Sequence, residues 1–96
     1  MVYKEWCIPR IHRSITEDFI SNKMSQMNVG KVINVKNIAL KNQSDYCRSI
    51  IKMECDALSE KYKYIENYLK KEKYFKLVYK FPEYWRVYPN LPQKQR

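Results

Sequence analysis

Apolar side chains recur along the chain at two spacings, and the spacings predict its elements. Residues 5–11 (EWCIPRI), 31–40 (KVINVKNIAL), 46–55 (YCRSIIKMEC) and 74–81 (YFKLVYKF) are short, rich in β-branched or aromatic residues, and read as strands. In the last of these Phe75, Leu77 and Tyr79 alternate with lysines. Pro9 has no amide hydrogen to give a ladder, so it predicts an edge, a bulge or the end of pairing. Between the first two strands, SITEDFISNKMSQMN carries Ile20, Met24 and Met27 at spacings of four and three, one face of a helix. Thr16 is its expected N-cap, Glu17 and Asp18 suit the positive end of the helix dipole, and Ile15 is placed to staple onto Ile20. Gly30 predicts a turn after the helix. KNQSD (41–45) predicts a hairpin turn. Asp56 is the expected cap of a second helix, whose stripe is Leu58, Tyr62, Ile65 and Leu69.

The order β-α-β-β-α-β predicts an α+β, ferredoxin-like sandwich: a four-stranded antiparallel sheet with both helices on one face and the other face open. The domain would span 1–81. Residues 82–96, FPEYWRVYPNLPQKQR less its first residue, would form an aromatic and basic C-terminal extension.

Strand parity then divides the faces. With Trp6, Ile8, Ser49, Ile51 and Met53 toward the helices, Tyr46, Arg48, Ile50 and Lys52 point to the open face. Cys7 and Pro9 join them from the first strand, Lys76 and Lys80 from the last. Asn37 falls where an apolar core residue is expected, which predicts a bulge in the second strand.

Charge gives this face a meaning. Lys and Arg number 19 against 10 Asp and Glu, a net +9, and such a field attracts polyanions. Aromatics reach 15%, and basic side chains with rings are what single-stranded nucleic acids need, cations for phosphates and rings for bases. The candidate RNA-binding residues are Arg10, His12, Tyr46, Arg48, Ile50, Lys52, Lys76 and Lys80. The same strand face also reads as an ordinary solvated surface. In the extension, Tyr84, Trp85, Arg86 and Tyr88 have several readings: a stacking platform folded over the sheet, a plug on it, core on the helix side, or a protein-docking anchor.

The stretch TEDFISNKMSQMNVGKV resembles the first helix and following turn of the RNA recognition motif family, and the resemblance extends over roughly residues 5–81. More narrowly, CIPRI, YCRSIIKM and YWRV resemble small RRM-like proteins of giant DNA viruses. The resemblance implies single-stranded RNA as partner and a place in host cytoplasm, viral factory or virion. It also implies an alternative role as a protein-interaction module in a viral or translational RNA–protein assembly. The family's stacking rings would fall at Cys7, Arg48 and Ile50, none of which is aromatic. Recognition would therefore lean on charge and guanidinium stacking.

Other chemistry is sparse. Three Cys and His12 lack a zinc-ligand spacing, so no metal or cofactor is expected. A single Gly excludes a glycine-rich phosphate loop, and no nucleophile–base constellation is visible, so no enzyme is expected. No apolar run approaches the roughly 20 residues of a membrane span, and no secretory leader is evident. These features predict an intracellular, cytoplasmic chain with reduced thiols.

Overall fold

The structure is a computed structural model describing residues 2–80 and 82–90. Its elements are β1 (Val2–His12), α1 (Glu17–Ser25), β2 (Gly30–Leu40), β3 (Gln43–Cys55), α2 (Glu60–Glu72), β4 (Phe75–Lys80) and β5 (Glu83–Pro89). The strands form one antiparallel sheet in the order β2-β3-β1-β5-β4. The α+β class stands as expected, but the four expected strands are five.

The first half of the chain forms as its pattern predicts. Thr16 Oγ1 accepts from the Phe19 amide at 3.1 Å and starts α1, whose Ile20 and Met24 are buried. Ile15 packs against the same core. The turn after α1 is made by Asn28, at φ 58°, a conformation Asn tolerates better than most residues. Gly30 is needed for another reason. A Cβ there would collide with the Glu54 carbonyl oxygen and stand 2.6 Å from Cys55 Cα, so its role is close approach of β2 to β3. The hairpin turn is shorter than expected, with Leu40 already paired to Gln43. The expected bulge in β2 lies at Ile33, between the Val32 and Asn34 pairs.

The second half departs from expectation. Asp56 caps the turn before α2, accepting from the Leu58 amide, and Ser59 caps the helix itself through the Tyr62 amide. Leu58 is therefore outside the helix and 82% exposed, while Tyr62 and Ile65 carry the buried stripe. Residues 83–89, expected in an extension, form β5. Lys80 pairs with Glu83, and β5 runs back between β4 and β1. The strand after α2 thus lies at the sheet edge, and β5 occupies the place beside β1. The domain boundary expected at 81/82 does not separate β5 from the fold; residues 91–96 of that extension lie outside the described residues.

One core joins both helices to the inward residues of all five strands: Trp6, Ile8 and Ile11 of β1, Ile51 and Met53 of β3, Phe75 and Leu77 of β4, and Trp85 and Val87 of β5 among them. Trp6 meets Phe75 edge-on, with centroids 5.2 Å apart. The inward set of β1 steps by three, from Ile8 to Ile11, because Pro9 and Arg10 form a bulge opposite β3. Two polar groups enter this core, Ser49 of β3 and Asn37 opposite it on β2. The Asn37 amide nitrogens are used: its backbone N–H donates to Glu17 Oε2 and its side chain to the Ile15 carbonyl. Among the described residues Ser49 Oγ and Asn37 Oδ1 have no partner. Among the described residues no helix is long and apolar enough to cross a membrane.

Lys4 and Glu66 pair at 3.5 Å between β1 and α2, beside Tyr62 and Cys55. Burial, then Glu66, pushes the Cys55 thiol up to about 11. The same two causes raise the Tyr62 phenol. Burial opposes the Lys4 charge, but Glu66 and Tyr62 outweigh it and the ammonium is held above its ordinary value.

Three outcomes are expected. Gly30→Ala should lose about 1–3 kcal/mol in urea unfolding, because backbone atoms must yield to the new methyl; an unchanged midpoint would show that β2 and β3 can part freely. Ser49→Ala should be neutral or gain about 1 kcal/mol, since it removes an unpartnered hydroxyl rather than a hydrogen bond; a loss as large as that for Gly30→Ala would mean the hydroxyl is paired. Cys55, Tyr62 and Lys4 each hold a proton more tightly when folded. Their contribution is complete at neutral pH and is lost as pH rises, for Cys55 between its ordinary 9.0 and about 11. Urea midpoints should fall over that window and fall less in Cys55→Ala; a flat midpoint in the native protein would count against the cluster.

Candidate nucleic-acid interface

The face of the sheet away from the helices is built by strand parity, and the registers place its side chains in rows. One row runs from Lys36 on β2 through Ile50 on β3 and Cys7 on β1 to Tyr88 on β5. Tyr74, just before β4, reaches the end of that row, its ring centroid 5.4 Å from that of Tyr88. The next row holds Ile38 and Arg48, then the Pro9–Arg10 bulge, then Arg86 opposite Lys76. A third holds Tyr46 opposite His12, with Tyr84 opposite Val78 on the far strands. A band of cations thus crosses the sheet with rings on both flanks.

The cations are steadied by those rings. Arg10 Cζ lies 4.0 Å from the Tyr46 ring centroid, Lys76 Nζ 4.9 Å from that of Tyr84, and Arg86 Cζ 5.1 Å from that of Tyr74. Such pairs hold a flexible cation near the sheet while leaving its donors exposed. The phenols of Tyr84 and then Tyr88 push the Arg86 guanidinium further up from its ordinary value.

Arg48 is different. It is half-buried, its Nε donating to Cys7 Sγ at 3.3 Å and its Nη2 to Asn90 Oδ1 at 3.1 Å. Asn90 in turn donates its side-chain amide to Glu5 Oε1 and its backbone N–H to the Glu5 carbonyl. Arg48 therefore ties the end of β5 to β1 and β3, and two of its donors serve the fold. The buried Cys7 is part of this clamp, while Cys47 and Cys55 pack on the core side. Among the described residues no group of three or more His, Cys, Asp or Glu is placed to hold a metal.

The other candidates fall out as follows. Ile50 and Lys52 are on the open face, Lys52 beside Glu5. His12 is bound to its own turn, its Nδ1 accepting from the Ser14 amide, and its ring meets Tyr46 edge-on. Lys80 is exposed at the end of β4, past an irregularity in the pairing. The four residues of the expected extension separate. Trp85, 6% exposed, stacks on Tyr79 at 4.5 Å and meets Phe19 of α1, so it is core and has little surface to offer a partner. Tyr84, Arg86 and Tyr88 lie on the open face as part of the sheet and do not fold over it. Lys36, Tyr74, Glu5 and Asn90 were not foreseen. Parity from Val35 could have found Lys36; the others depend on where β5 lies.

Among the described residues β1 and β5 form no pair beyond Cys7–Tyr88, and the β1 bulge follows at Pro9–Arg10. Pro9, Arg10, Tyr84, Trp85, Arg86 and Tyr88 line the resulting cleft, about 460 Å³. A second cleft, about 360 Å³, is lined by residues of β1, β2 and β3 including Lys52, but Glu5 lines it too and offsets the charge.

No family model matches the chain, and no curated protein or solved structure does either, so its sequence and geometry carry the functional reading.

Proposed function

We propose that this chain is a non-catalytic module that binds single-stranded RNA across the open sheet face. The observation that carries the reading is the cation band of Arg48, Arg10, Arg86 and Lys76, flanked by Tyr74 and Tyr88 on one side and Tyr46 and Tyr84 on the other. Cations in a line suit a phosphate backbone, and rings beside them suit unstacked bases, which a single strand offers and a duplex does not. The residues expected to stack in an RNA recognition motif are Cys7, Arg48 and Ile50 here, so the reading moves the rings outward, to β5 and the start of β4. That Tyr84 and Trp85 leave the sheet uncovered favours RNA over protein docking through the extension.

The test avoids Arg48, whose loss would also loosen Asn90 and Glu5. Lys52→Ala combined with Lys76→Ala alters two exposed cations. Binding of a fluorescent single-stranded RNA should weaken about tenfold at low salt, and the slope of log affinity against log salt should shrink by about 0.7 for each phosphate contact removed. Affinity and slope both equal to the native protein's would overturn the sheet-face proposal, and capture of a protein partner by a sheet that ignores RNA would favour the docking role.

A further inference from the structure

We infer that the cleft between the β1 bulge and β5 is a subsite for one nucleotide, with its phosphate on Arg10 and Arg86 and its base against the Tyr84 ring. The inference rests on the RNA-binding reading and locates its specific contact. Three observations converge on it. First, the cleft is made by the backbone: β1 and β5 pair at Trp6–Pro89 and Cys7–Tyr88 and then part, leaving a seam inside an otherwise continuous sheet. Pro9 has no N–H to offer β5 across that seam. Second, two arginines from different strands, Arg10 of the bulge and Arg86 of β5, line one cavity with no carboxylate among its lining residues, and their guanidinium groups rest on Tyr46 and Tyr74 beside it. Two arginines lining one cavity, each able to turn its planar fork from a ring toward a ligand, suit a phosphate dianion or diester. Third, an exposed ring stands at the wall. Tyr84 is on the solvent face of β5 with Lys76 over it, while its neighbours Trp85 and Val87 are buried and fix the strand. At about 460 Å³ the cleft is within the size of small-ligand sites.

The other cleft of the open face lacks this chemistry, since Glu5 and Lys52 share it. The subsite also gives a role to arginine at both position 10 and position 86, each resting on a tyrosine and exposed on the open face.

Binding of an eight-nucleotide uridine RNA and of an abasic oligonucleotide of the same length should be measured for the native protein, Tyr84→Ala, Tyr84→Phe and Arg86→Ala, with thermal melts to confirm folding. Tyr84→Ala should weaken the RNA about tenfold and leave the abasic strand unchanged, as loss of one stacked base predicts. Tyr84→Phe keeps the ring and should bind as the native protein does. Arg86→Ala should weaken both strands, because both carry phosphates. If the native protein binds the RNA and Tyr84→Ala binds it equally, the subsite is wrong and the broader reading stands. If the native protein binds neither strand, both fall. Should Tyr84→Ala melt early, amide chemical shifts on adding uridine monophosphate to the native protein decide: shifts centred on 9–10 and 84–88 support the subsite, and shifts elsewhere or none overturn it.

Discussion

Pro9 sits in a strand with a neighbour on each side, and this is the constraint from which the shape of the open face follows. A proline there has no N–H to give a ladder, and β1 carries a bulge at Pro9–Arg10 opposite β3. The extra residue lets both Ile8 and Ile11 reach the core, which keeps β1 anchored over its whole length. It places Arg10 over Tyr46. It also lies where pairing with β5 has ended, just past Cys7, beside the seam in the sheet. Core, cation band and cleft thus meet at one irregularity in β1.

Holding a five-stranded sheet together across such a seam requires a tie, and the tie is polar. Arg48, Cys7, Asn90 and Glu5 connect three strands at the level where β1 and β5 still meet. An arginine half-buried beneath the open face serves this better than a lysine, because its planar fork can direct separate donors to a thiol and an amide oxygen. The arrangement divides labour among the arginines. Arg48 is held for the fold, while Arg10 and Arg86 rest on rings and keep their outer donors exposed to solvent. The proposed RNA-binding surface is therefore displaced from the middle of β3 toward β5.

Much of this was legible beforehand. Thr16 and the stripe Ile20–Met24 marked α1, and the parity of Ile51 and Met53 assigned the faces of β3 correctly, putting Tyr46, Arg48, Ile50 and Lys52 together. Pro9 announced its own irregularity. The strand 83–89 was legible as well, since Trp85 and Val87 alternate with Tyr84, Arg86 and Tyr88 in the period of two; a nearby cluster of prolines and an element order already complete without it obscured that pattern. Asp56 and Ser59 both make acceptable caps, and only the helix start decides between them. Leu58 continued the apolar spacing of α2 but precedes its first turn, where spacing has no face to define.

What the amino-acid sequence determined by itself is local and periodic: which segments are strands and helices, which side of each is apolar, and that the molecule is basic and rich in rings. These depend on neighbours within a few residues, where sterics and hydrogen bonding leave few choices. The tertiary structure decided the order of the strands, with β5 inserted between β1 and β4. With that it decided that Trp85 is core, that Arg48 is clamped by Asn90, and that Arg10 and Arg86 share a cleft. Those pairs lie about forty or more residues apart along the chain, and no local spacing records which strands will lie side by side, because the choice is made by how all inward faces close over one core.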